Sequence, residues 1–505
     1  MIDPIRLSRV VAVDEPLPPV WVRTRPTEPD RTEQVGESII RVGPDETLRR
    51  ALAGSIDAAS EVVLVASFLL SDEILANAMI RAAQRGVRVY VLTASETRLA
   101  TVVREDDGFE ARMVEEHKQL LDRLAGHVLL RSAEHFHAKL LVTDPASRPA
   151  GWICTANFNK ALQESVELGV KLSPNDAEDL AAWFSWVFWT EAERELAGKG
   201  RLAKVGAPPG EPRRPQARRV VATARGEASL RNAALELIRS ARRQLLVASY
   251  GLDADHDAVL ALEARVKAGV RVTVLTRPRP AVSEAVQRLV AAGATVLAHD
   301  KLHAKAIVAD GQALVMTANL QAHGLDDGFE VGVRLDAEAS EALAWALSDW
   351  EQRFPWRFEA ALERSQHLGE VCLASEGLRT GRRTVEEEHV VGVAEVVAPS
   401  ALDLDGAGEP ALVPPREKER FYQRIRYEWE VVPPRLPKKA TELRREVMRT
   451  KRGKDGKEKE VQVKEPYDPP VYSHGGRKLV LLASPDKLAA ARQLAKELDA
   501  VVVLP

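Results

Sequence analysis

The stretch VVLVASFLLSDEILANAMIRAAQRGVRVYVLTAS, residues 62–95, returns as LLVASYGLDADHDAVLALEARVKAGVRVTVLTRP, residues 245–278. Each copy opens on an apolar run of the length of a buried strand. A segment of helical period follows, polar at its start and with a glycine at its end, and then a second strand of alternating valines. Strand, helix and strand in that order make a βαβ unit, so the chain carries the same unit twice. Outward from this core, each copy is preceded by a similar helix, TLRRALAGSI from Thr47 and SLRNAALELI from Ser229, and followed by a strand with a His-x-Lys pair. Each closes on a near-identical strand, ELGVKL from Glu167 and EVGVRL from Glu330. Tryptophan-bearing helices come next, with Trp183, Trp186 and Trp189 in one copy and Trp345 and Trp350 in the other. Aromatic stripes of that kind read as core packing.

The remaining chain is punctuated by proline and charge. At 505 residues, 45% hydrophobic and 29% charged, it exceeds one core and suits a soluble protein of several domains. Residues 1–40 read as a Pro-rich N-terminal arm, 41–200 as the first half, and 201–225 as a linker around VGAPPGEPRRPQARR. Residues 226–365 read as the second half and 366–415 as an irregular linker. Residues 416–505 read as a basic C-terminal α/β region. Within it, residues 416–465 carry 17 Lys or Arg against 10 Asp or Glu, and the final RKLVLLASPDKLAAARQLAKELDAVVVLP reads as strand, helix, strand. The N-terminus has no basic segment leading into an apolar core, and no apolar run reaches membrane-spanning length. Cys154 and Cys372 are the only cysteines and suggest no disulfide framework. These features point to a cytoplasmic protein with no membrane association. The net charge of -3 gives no global sign of a polyanionic partner, so any such sign is local.

The chemistry sits in EHFHAKLLVTD, residues 134–144, with GWICTANFN at 151–159, and in DKLHAKAIVADGQALVMTANLQ, residues 300–321. Residues two apart on a strand share a face, so His137 projects with Lys139 and His303 with Lys305. Asp310-Gly311 is a turn signal, and each motif strand is expected to fold back as a hairpin. With Asp310, Gly311 and Gln312 as a three-residue loop, His303 stands opposite Asn319 and Lys305 opposite Thr317. The matching pairs are His137 with Asn157 and Lys139 with Thr155. The His-to-Asn spacing is 20 residues in the first copy and 16 in the second, an even difference that keeps the same side chains on the same face.

At these residues the chain resembles the phospholipase D superfamily, whose signature is HxKxxxxD followed by a GSxN-like segment, twice per active site. The resemblance covers residues 42–360. In this chain the GSxN element reads CTAN at Cys154 and MTAN at Met316, keeping the hydroxyls but not the glycines. The resemblance implies an α/β fold: two similar halves, each a mixed β-sheet flanked by helices, packed about a pseudo-twofold axis with both motifs at their interface. A small C-terminal α/β unit lies outside it. It also implies attack by one histidine to give a phosphohistidine, while the other protonates the leaving oxygen and then activates water. Lys139 and Lys305, with Asn157, Asn319, Thr155 and Thr317, would hold the phosphate, with no metal and no cofactor. His137 is the family-like nucleophile and His303 the acid/base, although the near-symmetry leaves the order open.

Glu167 and Glu330 are candidates to hold the imidazole nitrogen remote from phosphate, or else are surface carboxylates. Asp144 and Asp310 lie at the hairpin end and anchor the turn. His135 and Lys301 take equivalent places that either extend an anionic subsite or lie solvated at an edge. Three functions fit: a nuclease on DNA or RNA, a phospholipid hydrolase or transphosphatidylase, and an inactive scaffold or nucleic-acid-binding protein. The local basic excess and the aromatic interleaving of RFYQRIRYEWE around Phe421 favour nucleic acid as the partner. No P-loop is visible, so any helicase or ATPase motor would be a separate chain. Two motifs in one chain complete a site, which leaves the oligomeric state open.

Overall fold

In the first copy the apolar runs Val62–Ala66 and Arg88–Ala94 pair in parallel, with the helix Glu73–Gln84 crossing between them. The helix begins where Asp72 accepts a hydrogen bond from the Leu75 amide and ends before Gly86, which has a φ of +90°. The second copy repeats the unit with Gln244–Ala248, the helix Asp257–Lys267 and Arg271–Thr276. The computed structural model describes residues 19–27, 32–96, 98–99, 111–196, 198–199, 202–206 and 213–360. Beyond these it describes the strand segments 5–7, 369–373, 384–388, 411–412, 424–428, 444–452, 458–466, 471–474, 478–482 and 500–504.

Each unit is the centre of a mixed sheet, and the two sheets have one strand order. The first runs Leu129–Ala133, Arg88–Ala94, Val62–Ala66, Leu140–Thr143, Ala150–Cys154, Leu168–Lys171, Ile39–Arg41. The second runs Thr295–Ala298, Arg271–Thr276, Gln244–Ala248, Ala306–Ala309, Gln312–Met316, Glu330–Arg334, Val220–Ala224. In both, the first three strands are parallel and the rest antiparallel. The helices Pro174–Thr190 and Ala337–Arg353 bring Trp183, Phe184, Phe188, Leu343, Leu347 and Trp350 into a single apolar core shared by both halves. Arg41, fully buried, ties the halves by an ion pair to Asp349 at 2.6 Å. Trp345 departs from the expected core stripe: it is 48% exposed and takes the Arg41 guanidinium over its ring.

The hairpin register differs from the expected one by a residue. Ala309 pairs with Gln312, so the turn is Asp310-Gly311 alone, and both residues have positive φ, +48° and +90°. Two positive φ values make a two-residue loop whose twist matches the flanking strands, whereas a three-residue loop would place only its last residue at positive φ. Lys305 therefore stands across from Met316, and Lys139 from Cys154, rather than from Thr317 and Thr155. The even insertion survives. The first copy pairs Thr143 with Ala150 and so carries four more loop residues.

The two aspartates reach further than their own turns. Asp144 accepts hydrogen bonds from the Ser60, Glu61 and Val62 amides and the Ser60 hydroxyl, and Asp310 from the Arg242, Arg243 and Gln244 amides. Each clamps the start of its parallel strand. Burial works against both carboxylates, but these amides hold them below the usual range. Glycines of the closing strands have a packing role. A Cβ at Gly169 would strike Leu48, and one at Gly332 would come within 2.7 Å of Leu230, so the preceding helix of each half lies directly on the strand.

The chain divides into two compact units, Arg23–Phe358 and Met1–Val22 with Glu359–Pro505. The expected boundaries shift accordingly. Ile39–Arg41 and Gln34–Val35 of the expected arm are strands of the first half, and Val220–Ala224 of the expected linker is a strand of the second. In the other unit, Gly369–Leu373, expected to be irregular, pairs with Ile5–Leu7 and with Val20–Arg23. Thr384–Glu388 pairs with Arg424–Glu428, and Arg444–Arg452 with Glu458–Pro466. Lys478–Leu482 and Ala500–Leu504 pair in parallel, which requires a crossover; the helix expected there lies outside the described residues.

Candidate active site

The motif strands end short of their chemistry. The ladder begins at Leu140 in one copy and Ala306 in the other, so both His-x-Lys pairs precede it and both Thr-Ala-Asn segments follow the return strand. There the chain is drawn to the opposite half. His137 and Ala138 donate their amides to the Phe329 carbonyl at 3.1 and 3.0 Å; His303 and Ala304 donate theirs to the Val166 carbonyl, both at 3.0 Å. Phe329 and Val166 immediately precede Glu330 and Glu167. As a result the carboxylates cross between halves. His137 Nδ1 lies 2.7 Å from Glu330 Oε1, and His303 Nδ1 lies 2.6 Å from Glu167 Oε1. The two glutamates are buried, at 1% and 0% side-chain exposure, and so are not surface carboxylates, whereas the imidazoles keep 24% and 14%.

Lys139 and Lys305 are fully buried and fold back onto the carbonyls of His137 and His303. Burial, reinforced by Lys139, pushes the His137 imidazole down to about 3 against the pull of Glu330. Burial likewise pushes His303 down to about 4; Glu167 opposes this and Lys305 adds to it. Lys139 is itself pushed by burial to about 7, with Glu330 resisting. The carboxylates are disfavoured by burial, yet the facing imidazoles and lysines hold both below the usual range. Both imidazoles are therefore neutral, and a neutral ring that gives Nδ1–H to a carboxylate presents its Nε2 lone pair outward.

Thr155 and Thr317 lie behind the histidines. The Thr317 hydroxyl bonds Glu330, and Thr155 and Thr317 each take the amide of a closing strand, from Leu168 and Val331. Asn319 accepts the Gly251 amide at 3.3 Å. Asn157 is 5% exposed, its Oδ1 has no partner among the described residues, and it faces the cleft that holds His303 and Glu167. His135 and Lys301 are exposed, and their carbonyls receive the Phe329 and Val166 amides. No metal-binding group of three or more His, Cys, Asp or Glu occurs among the described residues.

The cleft, about 320 Å³, is walled by Arg112, Met113, Asn159, Lys160, Tyr250 and Arg277 among others. The repeated VAS, which no motif marks, supplies several supports of the site. Ser67 accepts the Phe158 amide at 2.9 Å and Ser249 the Leu320 amide at 3.2 Å, which sets the loops that carry Asn157 and Asn319. The next residue packs on the histidine of its own half, Phe68 with a centroid 5.0 Å from His137 and Tyr250 at 4.8 Å from His303.

A family model described as "Cardiolipin synthase, PLD-like domain" matches residues 52–189 and 234–352. Phosphatidylserine synthase of Haemophilus influenzae is a similar solved structure, with 13% identity over 68% of this chain and 91% of that one and a TM-score of 0.49. Polyphosphate kinase of Porphyromonas gingivalis is similar at 16% identity over 62% of this chain, with a TM-score of 0.43; this chain spans about half its length, 47%. Nuc of Salmonella typhimurium, described as a phospholipase D family member, is 21% identical over 28% of this chain and 95% of its own, with a TM-score of 0.25. No curated protein matches the chain.

Proposed function

The chain belongs to the phospholipase D-like family, and from that premise we propose that it is a metal-independent phosphodiesterase of the cytoplasm, working through a phosphohistidine on DNA or RNA. The observation that carries the reading is the crossed pair of His–Glu contacts over two buried lysines. With Nδ1 committed to glutamate, His137 Nε2 bonds to phosphorus as the bond to the leaving oxygen breaks, and His303 gives that oxygen its proton. Water then passes a proton to His303, its oxygen bonds to phosphorus and the N–P bond breaks. The lysine ammonium groups, with Asn157 and Asn319, offset charge on the nonbridging oxygens. Thr155 and Thr317 act one step back, through the glutamates and closing strands.

Charge balance supports one acid and one base. Below pH 7, where Lys139 holds its proton and both imidazoles are neutral, Lys139 and Lys305 match Glu167 and Glu330. A bound phosphodiester adds one negative charge, and a single proton taken up by His303 restores neutrality. Burial makes that restoration strongly favourable.

Nucleic acid is favoured by the cations of the cleft wall, Arg112, Lys160 and Arg277, which stand among Met113, Ala161 and Tyr250 and outnumber the rim carboxylates Glu116 and Glu164. Among the described residues no helix is long and apolar enough to cross a membrane. A helicase or ATPase, where strands must be opened, would be a separate chain.

The test is incubation of the purified protein in EDTA with labelled single-stranded DNA, duplex DNA, RNA and a phosphatidyl lipid. His137→Ala and His303→Ala serve as controls. Cleavage of a nucleic acid that both substitutions abolish is expected. Cleavage that needs added metal, survives both substitutions, or falls only on the lipid overturns the reading.

A further inference from the structure

The two halves repeat down to single hydrogen bonds at the bottom of the site, yet they differ at its wall. The Ser67 amide donates to the Leu92 carbonyl and the Ser249 amide to the Leu275 carbonyl, so Leu92 and Leu275 hold the same place in the two sheets. Two residues on, the first half has Ala94, 3% exposed and part of the apolar core, while the second has Arg277, partly exposed and lining the cleft. Phe68 is matched by Tyr250, and Glu96 by Arg279.

The Tyr250 ring stands between the catalytic imidazole and this cationic wall. Its centroid is 4.8 Å from the His303 ring, 5.7 Å from Arg277 Cζ and 4.1 Å from Arg279 Cζ. Arg277 makes no ion pair among the described residues, although, with His299 the stronger influence, it helps hold the partly exposed Asp300 carboxyl below the usual range, against burial. Opposite it, Arg112 is held by Glu116 at 2.8 Å, and Glu164 lies exposed on the rim. Arg277 and Lys160 are thus the wall cations without an ion pair among the described residues, and Arg277 is the one set against the ring that packs on His303.

We infer that Arg277, one tyrosine ring away from His303, is the centre of a second-phosphate subsite that exists on only one side of the duplicated site. The inference rests on the phosphodiesterase reading of the His–Lys cluster. It narrows the substrate to a polyanion whose neighbouring phosphate follows the scissile one, held by the guanidinium as a charge-assisted, two-pronged contact. With His137 attacking, the leaving oxygen faces His303, so Arg277 reads the departing fragment. A single-phosphate lipid has nothing to place there.

The probes are propyl phosphate and 1,3-propanediol bisphosphate, whose phosphates have the three-carbon separation of successive phosphates in a nucleic-acid strand. Binding of each to the full chain is measured by calorimetry. The wild type is expected to prefer the bisphosphate by roughly tenfold or more. Arg277→Gln should collapse that ratio towards unity at an unchanged melting temperature, Arg277→Lys should keep part of it, and Arg98→Gln, whose guanidinium contacts His323 and does not line this cleft, should keep it all.

Equal affinities in the wild type, or a ratio that persists in Arg277→Gln or falls equally in Arg98→Gln, overturns the subsite. A ratio that behaves as expected in a protein that cleaves no nucleic acid leaves the subsite standing and removes the nuclease reading. Failure of both probes to bind removes both.

Discussion

Lys139 has no exposed surface and is pushed by burial to about 7; in its ammonium form it helps to keep the neighbouring His137 imidazole unprotonated. Its removal leaves two glutamates facing one lysine, and the cheapest remedy for that imbalance is a proton on His137. Lys139→Met is therefore expected to raise the His137 titration from about 3 towards the ordinary histidine range. Turnover should fall by about 10²-fold or more while the melting temperature holds, because a charge is no longer desolvated. A His137 ring resonance that titrates unchanged in the NMR spectrum would contradict this account. Free His303 titrates at about 4, so the free site is unprotonated at neutral pH, and a bound phosphate anion raises it towards protonation. Phosphate affinity should then strengthen as pH falls through the window between the bound value and about 4, and level off below it. Calorimetry in buffers of different ionisation enthalpy should count about one proton taken up per phosphate.

At the scale of elements, Gly169 and Gly332 let a helix rest on each closing strand. Gly169→Ala must displace Leu48 and is expected to cost about 1–3 kcal/mol, read as a lower denaturant midpoint at unchanged slope. A midpoint equal to wild type would mean that the helix yields freely. The elements themselves were legible in the sequence, because each βαβ unit has its period, its cap and its terminal glycine within one short segment. The hairpin register was less so: the Asp310-Gly311 signal fits loops of two and of three residues, and only the paired positive φ values choose between them. The four His and Lys residues could be read from spacing alone. The exchange of Glu167 and Glu330 could not, since it depends on where two strand ends meet across an interface that spacing does not encode. Arg277 was hidden for the opposite reason: the repeat drew attention to what the copies share, and this residue marks a difference.

For the molecule as a whole, the crossed glutamates make each half responsible for the other's histidine. Glu330→Gln should slow labelling of His137 by substrate, and Glu167→Gln should slow the step that needs His303. Samples quenched in alkaline denaturant and analysed by mass spectrometry would therefore show less phosphohistidine in the first variant and more in the second, with turnover down by about 10²-fold in each. Equal labelling in the two variants would mean that the halves do not divide the roles. The crossing also bears on how such an enzyme is made. During synthesis, the first half emerges with His137 exposed but with Glu330 still to come. A truncated product, a stalled chain or a molecule whose halves have come apart lacks the carboxylate that orients His137. On the nuclease reading, cutting power would appear only when folding is finished, and the same contacts would keep unfinished copies harmless to the cell's own nucleic acids.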